Sequence, residues 1–301
     1  MKALITGIHG FTGRYMAAEL IQSGYEVVGL TYKPDNRSIP GVSEIHSCDL
    51  ADLKGMETVM EQLQPDIVIH LAAIAFVAHG SVSSIYETNL MGTRNLLESI
   101  VQAEVKPKAV LLASSANVYG NSMGGMLDEL TPPAPANDYA VSKLAMEYMA
   151  HLFDERLPII IARPFNYTGV GQTENFLLPK IVAHVRRKAP VIELGNLDVA
   201  RDFSDVRMVV QCYRRLLEQP AAIGNSFNVC SGKAHTLLEV LDTVRTISGH
   251  DFEIQVNPAF VRANEVKSLL GNRQKLEALI GPVTDIPLTD TLRWMIESPD
   301  Q

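Results

Sequence analysis

The chain has 301 residues, 47% of them hydrophobic and 20% charged, and carries a net charge of −8. This is the composition of an ordinary soluble globular protein, large enough for one big domain or two modest ones. Its acidity argues against nucleic acid and against an anionic membrane surface as partners, though not against a local basic pocket for a phosphorylated ligand.

Residues 1–7 lack the long apolar stretch of a secretory signal. The most apolar run, residues 67–78, is too short to span a bilayer, so no membrane partner is expected. Three widely spaced cysteines, Cys48, Cys212 and Cys230, argue against a disulfide framework and for a reducing, cytoplasmic location. No Cys/His spacing resembles a zinc site, and no metal is expected.

Residues 2–6 form a short apolar run that ends in Gly7-Ile8-His9-Gly10-Phe11-Thr12-Gly13. A helical pattern follows over residues 14–23, closed by Gly24 as a C-cap, and residues 26–30 read as the next strand. Strand, glycine turn, helix, strand is the opening of a dinucleotide-binding unit. Gly7 permits the tight turn, Gly10 lets the backbone approach a pyrophosphate, and Gly13 allows close helix–strand packing. The helix N-terminus then offers N–H groups and a positive dipole end to phosphates. A glycine turn without a ligand is the plain alternative; the position between first strand and first helix favours the ligand.

Further strands are expected over residues 44–46, 66–70, 109–113 and 158–162, and helices over 52–63, 81–103 and 138–153. This rhythm predicts an α/β doubly wound parallel sheet covered on both faces, with ligands beyond the carboxyl ends of its strands. After Arg163 the alternation weakens. Helices over 175–187 and 206–218, with short strands, predict a smaller α/β lobe. The expected division is 1–164 and 165–301, with the apolar helix 206–218 returning to the first lobe.

Tyr139 and Lys143 stand four apart on a predicted helix and so share one face. An ammonium there favours the phenolate, so Lys143 is expected to lower the pKa of Tyr139 and suit it to proton transfer. A solvated helix face is the ordinary explanation of such a pair. Ser114 and Ser115 follow the strand at 109–113. Ser115 is placed to donate a hydrogen bond to a carbonyl oxygen, although serines after a strand ordinarily satisfy local backbone groups.

Glycine turn, serine and Tyr/Lys pair in this order resemble the extended short-chain dehydrogenase/reductases, in their nucleotide-sugar-modifying branch. The matching residues run from Thr6 to Gly13, then Asp49-Leu50, His70 to Ala73, Asn89, Ser114 to Gly120 and Tyr139 to Lys143. The resemblance implies a Rossmann-type sheet with a smaller substrate-binding lobe. It implies catalysis by Ser115, Tyr139 and Lys143, with Lys143 also holding the nicotinamide ribose. It implies cofactor contacts from Gly7, His9, Gly10, Phe11, Gly13, Thr31, Leu50, Leu71, Ala72, Ala73 and Asn89, and from Asp49 to adenine. NAD-specific relatives end the second strand with an acidic residue. Here it ends Gly29-Leu30-Thr31-Tyr32-Lys33 with Arg37 nearby, so Lys33 and Arg37 are expected to favour NADPH over NADH.

A second set of motifs is similar to the GDP-4-keto-6-deoxy-D-mannose reductase subgroup, and more loosely to the GDP-mannose 4,6-dehydratases. These are Arg163 to Gly169, Gly195 to Asp198, Arg201 to Val206, Asn228 to Gly232, and Arg262 with Glu265. The resemblance implies substrate contacts from Ser115, Asn117, Asn166, Lys180, Arg201, Arg262 and Glu265, the cations toward a diphosphate and the glutamate toward ribose hydroxyls. Surface charge for Lys180 and Arg262, and an ion pair for Arg201 with Asp202, are the plain alternatives.

In that branch, dehydratases carry an acidic pair where this chain has Ala116 and Asn117, and an asparagine cannot serve as their base. The cysteine and histidine of the GDP-fucose-forming epimerase-reductase are also absent at the matching places. The expected reaction is therefore reduction by NAD(P)H of the 4-keto group of GDP-4-dehydro-6-deoxy-D-mannose. The product is GDP-D-rhamnose or its C4 epimer GDP-6-deoxy-D-talose. The alternatives are a UDP-sugar 4-epimerase with tightly bound NAD, and a cofactor-binding regulator without catalysis. The resemblance also implies a homodimer through the helices at 81–103 and 138–153. Their apolar residues Leu90, Leu97, Ile100, Leu144, Met146 and Met149 suit either that interface or an ordinary core.

Overall fold

The computed structural model describes residues 1–34, 37–75, 81–121, 125–261 and 266–299. The first half alternates β1 (Lys2–Thr6), α1 (Phe11–Gln22), β2 (Glu26–Thr31), β3 (Val42–Ser47), α2 (Leu53–Leu63), β4 (Ile67–His70), α3 (Val82–Tyr86), α4 (Thr93–Gln102) and β5 (Ala109–Ala113). A short β6 (Met126–Leu127) precedes α5 (Asp138–Ala150) and β7 (Ile159–Pro164). The second half runs β8 (Asn166–Thr168), α6 (Leu177–Arg186), β9 (Val191–Leu194), β10 (Ala200–Asp205), α7 (Val206–Leu217), β11 (Asn225–Val229) and β12 (Ala234–Thr236). It ends with α8 (Leu237–Ser248), β13 (Glu253–Val256), β14 (Ser268–Gly271), α9 (Gln274–Ile280) and α10 (Leu288–Glu297).

The main sheet is parallel and seven-stranded, in the order β11-β7-β5-β4-β1-β2-β3. The chain winds one way from β1 through β3 and the other way from β4 outward. The switch point lies between β1 and β4, which pair Ala3 with Ile67 and Thr6 with His70. A crevice opens there at the strands' carboxyl ends.

Alternation along β1 serves two cores. Ala3 and Ile5 face one layer with Met16, Ala17 and Leu20 of α1 and Val209, Tyr213 and Leu216 of α7. Leu4 faces the other with Met56 and Met60 of α2, Leu96 and Leu97 of α4, and Met146 and Ala150 of α5. A third core, with Leu178, Ile192, Phe203, Leu241 and Leu292, gathers elements of the second half of the chain.

Two features depart from the sequence reading. The helix expected over 81–103 is divided by a π turn at Glu87–Gly92 between α3 and α4. That turn carries Asn89, whose side chain bonds the Ile74 backbone. The seventh strand, Asn225–Val229, comes from the second half and pairs with β7 (Asn225 with Ile160, Val229 with Pro164). Its polar sequence lacks the apolar run that marked the other strands.

Candidate active site

The glycine turn builds one wall. Gly7 has φ 70, and a Cβ there would lie 2.9 Å from the Ala72 nitrogen. A Cβ on Gly13 would lie 2.4 Å from the Gly7 carbonyl oxygen. Only glycine permits both. α1 begins at Phe11 with Gly10 as its N-cap and no side chain bonded to its first N–H groups. Gly7, Gly10, Phe11, Thr12 and Gly13 line a cavity of about 420 Å³. A turn packed too closely for any Cβ, which brings a helix N-terminus without a side-chain cap to the cavity, fits the pyrophosphate of a dinucleotide. His9 is half-buried in the turn and does not line the cavity.

The floor is the segment after β4. Leu71 and Ala73 line the cavity, while Ala72 packs behind Gly7. The Leu71 and Ala72 N–H groups donate to Thr6 Oγ1, each at 3.2 Å. Thr6 Oγ1 meets His70 Nδ1 at 2.7 Å, and His70 Nε2 meets Thr93 Oγ1 at 2.9 Å. Asn89, expected at the cofactor, is fully buried behind this segment. It accepts from the Ile74 N–H at 2.8 Å and donates to the Ile74 carbonyl at 3.1 Å and to Ser142 Oγ at 3.0 Å. It shapes the floor instead of facing the cavity.

Ser115, Tyr139 and Lys143 converge on the opposite wall. Asn137 caps α5 by accepting from the Ala140 N–H at 2.9 Å, which fixes the helix start at the site. Removal from water lifts the Tyr139 phenol up to about 12; a hydrogen bond with Ser115 opposes this, and the Tyr167 phenol adds to it. Burial brings Lys143 down to about 8, against the pull of Glu147. The expected lowering of Tyr139 by Lys143 is not found. The ammonium instead donates to the Ala113 carbonyl at 2.7 Å, and loss of hydration dominates the phenol.

Asn117 directs its amide to Ser115. Its Nδ2 and its backbone N–H both donate to Ser115 Oγ at 3.2 Å. With its oxygen accepting twice, the Ser115 hydroxyl is left to donate its own proton. Asn166, on β8, lines the cavity and has a buried Nδ2 with no hydrogen-bond partner among the described residues.

Other predicted residues lie outside this cavity. Thr31, Lys33 and Arg37 stand at and beyond the end of β2, where the Lys33 ammonium sits 5.2 Å from the Tyr32 ring centre. Asp49 Oδ1 accepts from the Ala51 N–H at 2.9 Å in a local turn, and Leu50 packs into the core. Lys180 donates to the Glu193 carbonyl at 2.8 Å and lies 4.1 Å from the Phe260 ring centre. Arg201 donates to the carbonyls of Ala200 at 2.9 Å and Lys267 at 3.2 Å. Asp202 is buried and accepts from Ser231 N, Ser231 Oγ, Gly232 N and Gly271 N, tying a loop to β14. Arg262 and Glu265 lie outside the described residues.

Several site residues went unread in the sequence. The Tyr167 hydroxyl meets Thr12 Oγ1 at 2.8 Å, bridging the glycine-turn helix and the strand after β7. Gln172 donates to the Tyr167 carbonyl at 3.2 Å and accepts from Thr168 Oγ1 at 2.8 Å. Phe176 and Phe203 add apolar wall. The Arg163–Gly169 motif contained Tyr167, but spacing alone could not single it out. Among the described residues no helix is long and apolar enough to cross a membrane.

The chain matches the GDP-mannose 4,6 dehydratase family profile over residues 4–295. It is 34% identical over 282 residues to a GDP-6-deoxy-D-talose 4-dehydrogenase of Aggregatibacter actinomycetemcomitans, covering 93% of this chain and 92% of that one. It is 32% identical to a GDP-6-deoxy-D-mannose reductase of Pseudomonas aeruginosa, covering 98% and 96%. Among solved structures, one described as a candidate epimerase from Burkholderia cenocepacia J2315 superposes with a TM-score of 0.92 at 52% identity, covering 98% and 97%. RMD from Pseudomonas aeruginosa complexed with NADPH superposes with a TM-score of 0.85 at 29% identity, over the same shares of the two chains. The doubly wound sheet, the glycine cradle and this near end-to-end similarity together establish that the chain belongs to the GDP-mannose 4,6 dehydratase family, of the extended short-chain dehydrogenase/reductase type.

Proposed function

We propose that this enzyme is an NAD(P)H-dependent nucleotide-sugar 4-ketoreductase. Its substrate is GDP-4-dehydro-6-deoxy-D-mannose and its product GDP-D-rhamnose or GDP-6-deoxy-D-talose. The observation that carries the reading is the meeting of Ser115, Tyr139 and Lys143 in one cavity with the glycine cradle, with Asn117 where a dehydrating carboxylate would stand. The names of two relatives, a 6-deoxy-talose 4-dehydrogenase and a 6-deoxy-mannose reductase, supply the substrate class.

A nicotinamide cofactor held by the glycine turn would supply the hydride for the C4 carbon. Tyr139, lifted up to about 12, holds its proton at neutral pH and donates it to the C4 oxygen as negative charge develops there. Ser115, oriented by Asn117, donates a hydrogen bond to the same oxygen. The Lys143 ammonium sits one turn further along α5 and stabilises negative charge near the phenol. The partnerless amide of Asn166 fits an acceptor on the nucleotide sugar. Lys33 and Arg37 favour a 2′-phosphate, hence NADPH, and the carbonyl-held Lys180 and Arg201 reach the diphosphate only on rearrangement.

The reading extends to a homodimer. The six apolar residues named for that interface turn inward or pack against the core. The same helices nevertheless expose Val82, Met91, Val141, Tyr148 and Leu152, an apolar set suited to a second copy of the chain. Three free cysteines are in keeping with a cytoplasmic setting.

The resemblance to a candidate epimerase at 52% identity favours a second reading, nucleotide-sugar 4-epimerisation. Denaturing the purified protein and measuring released nucleotide separates the two. Stoichiometric NAD, together with interconversion of UDP-hexoses without added cofactor, supports the epimerase. Multiple turnovers of added NADPH with the GDP-4-keto sugar support the reductase.

A further inference from the structure

Tyr139, Lys143 and Glu147 recur every four residues along α5, on one face. The first two face the cavity, and Glu147 lies behind them, 3% exposed. Its carboxylate is fully engaged. Arg163 Nε donates to Oε1 at 2.9 Å and Nη2 to Oε2 at 2.6 Å, a two-pronged pair. Ser114, the residue before Ser115, donates to Oε1 at 2.5 Å. Arg163 Nη1 donates to the Tyr119 hydroxyl at 2.9 Å, which donates to Asn228 Oδ1 at 2.7 Å. One carboxylate thus touches the turn that carries Ser115 and the helix that carries Tyr139 and Lys143. Through Arg163 it is anchored to β7 and β11.

We infer that Glu147, locked by Arg163, is a positioning residue for catalysis: it keeps the buried Lys143 charged and ties the Ser115 turn to α5. The inference rests on the catalytic roles proposed above for those residues. A buried ammonium is costly to keep ionised without an anion nearby, and Glu147 is the anion that opposes the effect of burial on Lys143. The other groups around Lys143 do not replace it. From α5 itself comes the phenol of Tyr139, protonated at neutral pH; from β4 comes His70, held neutral by burial; from β5 come the Ala113 carbonyl and the Ser114 hydroxyl. Arg163 from β7 is a cation and Tyr119 a neutral phenol, both directed at or beyond Glu147.

The test compares Glu147→Gln, Glu147→Asp and Ser114→Ala with the parent, by kcat against pH and by titration of the Lys143 Nζ shift in 15N-lysine-labelled protein. Glu147→Gln should move the loss of the Lys143 proton, and the alkaline limb of kcat, down by about one pH unit. Glu147→Asp should leave both near the parental position. An unmoved Nζ titration in Glu147→Gln overturns the inference. So does a uniform loss of rate at every pH. Should Glu147→Gln not fold, Ser114→Ala leaves the buried charges in place. It should lower kcat about tenfold with cofactor affinity unchanged, and an undiminished kcat overturns the tie. Failure of the ketoreductase reading shows separately, as absence of turnover in the parent, and leaves the Nζ titration to decide.

Discussion

In the proposed reaction Tyr139 and Lys143 divide their work by protonation state. The phenol, lifted up to about 12, is a proton donor throughout the neutral range. Lys143, brought down to about 8, carries its charge below that pH and loses it above. Reductive turnover is therefore expected to fall as pH rises through about 8, and a kcat–pH profile measures it. At the end of β2, Lys33→Ala and Arg37→Ala should each raise KM for NADPH about tenfold, the cost of losing one charge-assisted contact to phosphate, and leave KM for NADH unchanged. The residues proposed for the chemistry stood out in the sequence because reactive groups must sit at fixed spacings: the glycines of the turn, Ser115 after β5, and Tyr139 with Lys143. Those that support them did not. Glu147, Arg163 and Tyr167 act through partners 33, 44 and 155 residues away, and no local pattern reports such pairs.

Periodicity carries the elements. Apolar runs and helical spacing located β1, α1, β5, α5 and β7 to within a few residues, because each buries one face or both against the sheet. β11 escaped because its burial is supplied by β7 and α9 and its polar Asn228 is satisfied by Tyr119 and Leu127. The π turn at Glu87–Gly92 escaped because it answers to Ile74 and Ser142, not to its neighbours along the helix. α5 has three obligations: a core face with Met146 and Ala150, a cavity face with Tyr139 and Lys143, and an outer face with Val141 and Tyr148, continued by Leu152 in the turn that follows it. If the outer face meets a second copy, the double variant Tyr148→Glu with Leu152→Glu places charge in an apolar interface. Light scattering should then show the dimer mass of the parent halved, with catalysis at the far face largely kept; a parent of monomer mass contradicts the interface.

Across the whole molecule, the switch point between β1 and β4 is held by buried polar groups. His70 sits between Thr6 and Thr93 at the switch point, fully buried, its pKa lowered by burial to about 3. A histidine depressed in the folded state contributes stability that is complete above about 6.5 and is lost progressively as pH falls toward about 3. The loss approaches about 5 kcal/mol by linkage. Urea unfolding between pH 7 and pH 4 should show it, and His70→Gln should flatten that dependence; an equally steep dependence in the variant assigns the effect elsewhere. The most direct test of the account is turnover of purified protein with GDP-4-dehydro-6-deoxy-D-mannose and NADPH, following NADPH by absorbance and the sugar by NMR, with Tyr139→Phe alongside. The account predicts one NADPH oxidised per 4-hydroxyl sugar formed, and a rate lower by about 10²–10⁴-fold in the variant. No NADPH oxidation by the parent, with UDP-hexose interconversion by protein already carrying NAD, would contradict it.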